Sequence, residues 1–267
     1  MNAWRLLELE THDAAMNMAI DEAILDARIA GKVPNTIRFY RWKPSAVSIG
    51  RFQDVYDQVS LDNCEKEGVE VVRRITGGGA VYHDSDSEIT YSAIVKREDL
   101  GAEDVTAAYN KICGGLIKAL ELLRVKADFN PGDYKNCPNI TVNRKKISGS
   151  AQSFKRGTIL QHGTLLMSVN LNRMFTFLRA PWAKTCVELV HVAERKITSL
   201  DNETSSEATV QQAYSSLVQG FQQALDIRLL EGTLTKEEQE IARILSREKF
   251  ASKDWTFLGK FSPIVPS

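Results

Sequence analysis

Cysteine is scarce: Cys64, Cys113, Cys137 and Cys186 are the four in 267 residues. No two make a CxxC pair, so neither a disulfide framework nor a zinc site is legible, and a reducing compartment is favoured. Net charge is lacking too, because 34 Lys+Arg cancel 34 Asp+Glu. No global field exists to gather nucleic acid or anionic lipid, which leaves only a local basic patch open. No apolar run approaches the roughly 18–20 residues of a membrane span. Glu8, Glu10 and Asp13 in the opening segment do not suit a signal peptide. Internal repeats and low-complexity tracts are absent. What is present, 43% hydrophobic and 25% charged residues, is ordinary for a folded chain and excludes disorder. The expectation is a cytosolic globular protein without nucleic-acid or membrane partners.

The spacing of Met16, Ala19, Ile20, Ala23, Ile24 and Ala27 predicts a helix over about Asp13–Ala30, with Asp13 as cap and Gly31 just past the end. Thr36–Trp42 and Ala46–Ile49 read as strands parted by Lys43-Pro44-Ser45. A short helix closed by Gly68 precedes a strand, Val69–Arg73, that runs into three glycines. Ile89, Tyr91, Ala93 and Val95 alternate with polar residues, the pattern of a strand with one buried face. A long helix is expected over Glu103–Leu123, weakened by Gly114-Gly115. Strand-like Ile140–Asn143 and Thr158–Val169 flank the segment Lys145–Gln152, and helices follow near Thr209–Leu225 and Lys236–Arg247. Interleaved strands and helices without strict βαβ units imply an α/β (α+β) fold, a mixed β-sheet core flanked by helices. The expected organisation is a catalytic domain over residues 1–205 and a helical C-terminal extension of it over 206–267.

Three segments carry chemistry. The first is Arg73-Arg74-Ile75-Thr76-Gly77-Gly78-Gly79-Ala80-Val81-Tyr82-His83-Asp84. Glycines after a strand let backbone approach a ligand, their N–H groups can form an anion-binding concavity, and an arginine beside them can clamp phosphate or carboxylate. A plain glycine-rich hairpin is the competing explanation, and the pattern is neither a dinucleotide nor a P-loop signature. The second is Asn143–Gln152, where small residues after Lys146 would hold one ammonium against a ligand; a solvated basic turn is the alternative. The third is Leu160–Leu166, with His162 in an apolar strand, more often a satisfied core residue than a catalyst. Cys137 lies in a Pro-bounded loop nine residues before Lys146, whose ammonium favours a thiolate.

Taken in order, R-R-x-T-G-G-G-A-V-Y-H-D, K-I-S-G-S-A-Q and Q-H-G-T-L-L resemble the lipoate–protein ligase A family of the biotin/lipoate A/B ligase superfamily. Asn17–Glu22, Ser48–Gln53 and Arg195–Leu200 support the resemblance, which covers about residues 4–200. It implies a class II aminoacyl-tRNA synthetase-like mixed sheet. It also implies a two-step reaction: lipoate and MgATP form lipoyl-adenylate, and the lipoyl group passes to a lysine of a lipoyl domain. The acceptors implied are E2 subunits of 2-oxoacid dehydrogenases or the glycine cleavage H protein.

Carried over by motif, Arg74 contacts the nucleotide phosphates. Gly77, Gly78, Gly79, Ala80, Val81 and Tyr82 belong to the loop that wraps the adenylate. Lys146 is the catalytic lysine on the activated carbonyl and phosphate, Ala151 supplies a backbone contact, and His83 and His162 border the acyl pocket. At the position where the family carries a Mg²⁺-holding aspartate, this chain has Asn139. The small accessory domain of two-domain ligases is not apparent, so a separate accessory protein is an expected partner. The expected activity is therefore ATP-dependent lipoate ligation. The alternatives are a Cys-dependent octanoyl or lipoyl transferase acting from acyl carrier protein through Cys137, and a non-catalytic lipoate- or biotin-binding module, against which Arg74 and Lys146 together argue.

Overall fold

The computed structural model describes residues 2–133, 137–180, 183, 185–205 and 208–261. The strands in chain order are β1 (Asn2–His12), β2 (Thr36–Trp42), β3 (Ala46–Ile49), β4 (Glu70–Arg73), β5 (Val81–His83), β6 (Glu88–Lys96), β7 (Asp128–Asn130), β8 (Asn139–Val142), β9 (Lys145–Lys155), β10 (Thr158–Leu166) and β11 (Ile227–Glu231). The helices are α1 (Ala14–Ile29), α2 (Val55–Gln58), α3 (Leu61–Glu67), α4 (Arg97–Leu100), α5 (Val105–Leu122) and α6 (Leu171–Phe177). They continue with α7 (Cys186–Ala193), α8 (Leu200–Glu203), α9 (Val210–Leu225), α10 (Lys236–Leu245) and α11 (Lys253–Leu258).

A large mixed sheet runs β11-β1-β2-β6-β10-β9-β8-β7, and a small one runs β4-β3-β5. Strand β1 pairs parallel with both β11 and β2, whereas β2–β6, β6–β10, β10–β9, β9–β8 and β8–β7 are antiparallel. Because successive side chains on a strand point to opposite faces, Ile37, Phe39, Ile89, Tyr91, Ala93 and Val95 join one core with α5 and α9. Tyr40, Trp42, Ile94 and Leu160 face the other way, onto α1 and the C-terminal helices. Helix α1 begins where expected, with Asp13 accepting from the Met16 amide, and α3 ends on left-handed Gly68.

Several strands differ from the sequence expectation, among them β5 and β7. The opening segment forms β1, and Lys145–Gln152 lies within β9 rather than forming a tight turn. The C-terminal segment is not purely helical, since Ile227–Glu231 forms β11 on the edge of the large sheet. Two buried ion pairs tie this segment to the first residues of the chain. Arg5 donates to both carboxylate oxygens of Glu238 (2.8 and 2.6 Å), and Lys249 to both of Glu22 (2.8 and 2.7 Å).

The glycine pair in α5 has a packing reason. A Cβ on Gly115 would lie 2.5 Å from the Phe221 ring of α9, and one on Gly220 would lie 2.4 Å from the Gly115 carbonyl oxygen. The two helices cross at backbone distance, and the lost helix propensity is offset by that contact. Gly220→Val should therefore lower stability by at least about 1–3 kcal/mol, the usual cost of overpacking. A thermal melt checks this, and an unchanged Tm would show that the crossing opens without penalty.

Candidate functional site

The glycine run closes around Arg74. This buried guanidinium donates from Nη1 to the Ser48 carbonyl (2.7 Å) and Oγ (2.8 Å), and from Nη2 to the carbonyls of Gly77 (3.0 Å) and Gly79 (2.9 Å). Its Nε–H points to Thr76 Oγ1 at 3.4 Å. Burial pulls the Arg74 pKa down to about 10. The side chain expected to clamp phosphate thus spends its donors on the loop itself. Within the loop it is Gly78 that takes the left-handed conformation, φ +90°. Gly50 permits its approach, since a Cβ there would lie 2.0 Å from the Gly78 carbonyl oxygen.

Two relays of buried polar groups hold this arrangement. Glu88 Oε1 faces His83 Nδ1 at 2.6 Å, and His83 Nε2 faces Ser48 Oγ at 2.6 Å. A carboxylate only accepts, so Nδ1 carries the proton and Nε2 accepts from the Ser48 hydroxyl. The His83 ring stacks on Trp42, with centroids 4.0 Å apart. The second relay begins on α1. Asp21 accepts from Arg38 (2.9 Å), Ser92 (2.8 Å) and Tyr40 (3.1 Å) and faces His162 Nδ1 at 3.1 Å; His162 Nε2 meets Thr76 Oγ1 at 2.8 Å. Burial works to raise the Asp21 carboxyl, but the hydrogen bond from His162 and the charge of Arg38 hold it below its ordinary value. Burial lowers His162 against the pull of Asp21. Both histidines are bonded at each ring nitrogen and act as fixed supports.

A cavity of about 320 Å³ opens beside the loop. Of the residues singled out in the sequence, Arg74, Gly78, Gly79, Ala80, Val81, His83, Cys137, Asn139, Lys146, Ala151 and His162 line it. Gly77 and Tyr82 do not; the Tyr82 ring stacks on Phe177 (centroids 5.0 Å) and its hydroxyl meets Asp84 and Arg173. Met18, Tyr40, Trp42 and Val81 give the cavity an apolar wall.

At the reactive end Cys137 is exposed and packs close to Gly78: a Cβ on that glycine would lie 3.7 Å from the Cys137 sulfur, 3.5 Å from Arg74 Nη2 and 3.6 Å from the Ala151 Cβ. Lys146 is exposed on β9, and its side chain folds over Gly149, where a Cβ would lie 2.6 Å from Nζ. Burial lowers the pKa of the Lys146 ammonium against the opposing influence of Cys137. Burial, then Cys137, push the Tyr109 phenol of α5 upward. A thiol, an ammonium and an apolar channel therefore share one site.

The residues present do not fit Mg²⁺. Among the described residues no carboxylate lines the cavity, and none forms a metal-holding cluster of His, Cys, Asp or Glu. Carboxylate oxygens are the usual protein ligands of that ion. Asn139, the one candidate, donates its amide to the Cys137 carbonyl (3.1 Å) and is bonded by Asn130 (3.4 Å). It anchors the cysteine loop. Asn139→Ala should lower turnover by roughly tenfold, the scale of about 1.4 kcal/mol from one lost hydrogen bond. Added Mg²⁺ should leave the rates of wild type and variant unchanged; magnesium-dependent activity lost in the variant would return the residue to a metal role.

The sequence analysis gave no site role to Ser48 and Asp21, though it singled out their segments, and missed Arg38, Glu88, Thr90 and Ser92; all six are buried. The polar positions of β6 were the available signal: Glu88, Thr90 and Ser92 alternate with its apolar face.

The lipoyl protein ligase A/B catalytic domain model matches residues 13–222. An octanoyltransferase LipM of Brevibacillus brevis is 34% identical over 96% of this chain and 99% of its own length; one of Clostridioides difficile is 32% identical over 96% and 98%. Among solved structures, a bi-partite lipoate protein ligase of Thermoplasma acidophilum superposes with TM-score 0.86 at 28% identity, covering 99% of this chain and all of that one. A lipoate-protein ligase A bound with ATP superposes at TM-score 0.82 and 28% identity, over 96% and 99% of the two chains. The mixed-sheet fold expected of the family is the one observed. The expectation of ATP-dependent lipoate ligation is overturned, because relatives more than 30% identical to this chain are octanoyltransferases, and octanoyl transfer is the alternative they back better. No described helix is long and apolar enough to cross a membrane.

Proposed function

The chain belongs to the lipoyl protein ligase A/B catalytic domain family, and from that premise we propose that it is an octanoyltransferase that works through Cys137. The observation that carries the reading is that an exposed thiol, Cys137, and the Lys146 side chain line one and the same apolar-walled cavity. A thiolate is the nucleophilic form of cysteine, and an adjacent cation favours it.

In the first half-reaction the Cys137 thiolate attacks the thioester carbonyl of an octanoyl-carrier protein. The carbon–sulfur bond to the carrier breaks, and the carrier thiolate leaves and takes up a proton. In the second, the neutral ε-amine of a lipoyl-domain lysine attacks the octanoyl-Cys137 thioester. The amide forms, Cys137 leaves as thiolate, and the amine nitrogen loses a proton. Lys146 faces the oxygen that becomes negative in both tetrahedral intermediates and supplies preorganised positive charge there. Arg74, held by Ser48, keeps Gly78 against the sulfur. The acyl chain lies along Met18, Tyr40, Trp42 and Val81, where burial favours it by roughly 0.8 kcal/mol per methylene.

The acyl group arrives activated, so neither ATP nor Mg²⁺ enters these steps, and no accessory chain figures in them. Acceptors of the proposed reaction are lipoyl domains of E2 subunits or the H protein. The test is a transfer assay with octanoyl-carrier protein and a lipoyl domain, with and without MgATP. Equal rates are expected, with no pyrophosphate released from ATP plus free lipoate or octanoate. Pyrophosphate release coupled to acylation would overturn the reading.

A further inference from the structure

Arg144 of the basic run in the second motif takes no part in the transfer chemistry above. Backbone hydrogen bonds bring a second basic pair alongside it. The Lys146 amide donates to the Lys196 carbonyl (2.7 Å), the Thr198 amide to the Lys146 carbonyl (2.9 Å), and Lys145 Nζ to the Glu194 carbonyl (2.9 Å). Arg144, Arg195 and Lys196 are exposed, and among the described residues none of their side chains is engaged in a hydrogen bond or ion pair. Two nearby carboxylates turn to other partners: Glu203 accepts from Thr198 (2.7 Å) and Asn143 (3.3 Å), and Glu194 faces His191 at 3.8 Å. In a chain of formal net charge zero, three exposed cations with no ion-pair partner among the described residues thus lie next to Lys146, which lines the cavity.

We propose that Arg144, Arg195 and Lys196 form the docking rim for the octanoyl donor, an acidic carrier whose thioester hangs from a phosphodiester-linked arm. The proposal rests on the transferase reading. Two proteins must present a group to Cys137, and their chemistry differs in sign. The donor's arm carries a phosphate anion on an acidic carrier, and guanidinium groups match phosphate bidentately. The acceptor presents a lysine that arrives largely as ammonium, which this rim repels. Rim charges act mainly on encounter rates and on their salt dependence.

The experiment compares the two half-reactions in wild type and in the triple variant Arg144→Glu/Arg195→Glu/Lys196→Glu. Acid quench and intact-mass measurement follow octanoylation of Cys137. With octanoyl-carrier protein the second-order rate should fall by about tenfold or more and lose most of its salt dependence. With octanoyl-pantetheine, which has neither phosphate nor protein, the variant should match wild type, which also shows that it is folded. Delivery of the octanoyl group from preloaded enzyme to a lipoyl domain should be unchanged or faster. Undiminished acylation by the carrier overturns the rim, and so does a loss confined to delivery, which would make this the acceptor's surface. If wild type takes up no octanoyl group on Cys137 from either donor, the transferase reading itself fails, a result the variant comparison cannot imitate.

Discussion

Cys137→Ala is expected to abolish octanoyl transfer while leaving the protein folded. The cysteine is exposed, so its sulfur contributes little to packing, and Tm should stay within the scatter of a surface substitution. The proposed reaction, by contrast, has no other group to carry the acyl chain between donor and acceptor. Loss of a covalent nucleophile costs on the order of 10⁴–10⁶-fold in turnover. The check is steady-state transfer from octanoyl-carrier protein to a lipoyl domain, read by mass of the acceptor. Activity within about tenfold of wild type would mean that the acyl group never resides on this sulfur.

Lys146→Met should come next in severity. Methionine keeps an unbranched stem over Gly149 and removes only the charge, so the cavity wall survives. Loss of one preorganised electrostatic group costs roughly 2.7–4 kcal/mol, or about 10²–10³-fold. Because the ammonium faces the developing oxyanion in both steps, acylation and delivery should slow together, with little change in the KM for carrier protein. Single-turnover measurements of each half-reaction separate the two. A rise in KM at unchanged kcat would recast Lys146 as a docking residue.

The strongly periodic elements were legible from sequence. Helix α1 and strands β2 and β3 formed where their apolar spacing placed them, and the three motifs converge on one cavity although they lie far apart in the chain. Charge and glycine signals were harder to interpret. Arg74 beside a glycine run reads as a phosphate clamp, yet its donors turn inward, because a buried guanidinium must satisfy its own N–H groups before it can serve a ligand. The alternation in β6 read as one buried and one solvated face. Glu88, Thr90 and Ser92 are buried instead, since the second face meets α1 and the cavity, where His83, Trp42 and Asp21 give each of them a partner. Strand β9 was hidden by its glycine and serines, residues of low strand propensity that β8 and β10 nonetheless pair on both sides. Strand β11 was obscured because only Ile227 of its five residues is fully buried.

The choice between thiol and nucleotide chemistry lay outside what these motifs can decide, because a lysine, a tight glycine loop and an apolar channel would serve either reaction. On the reading proposed above, the difference lies in Cys137, one residue in a loop without periodicity, and in Asn139 two residues later. There an amide that holds the cysteine carbonyl stands where the ligase motif has a carboxylate.

The central claim is that the octanoyl group is carried on Cys137. Wild-type protein mixed with octanoyl-carrier protein in the absence of ATP, quenched in acid and weighed intact, should show one octanoyl adduct. That adduct should map to Cys137, vanish in Cys137→Ala and discharge when a lipoyl domain is added. A protein that modifies the lipoyl domain at full rate without ever carrying that adduct would contradict the account.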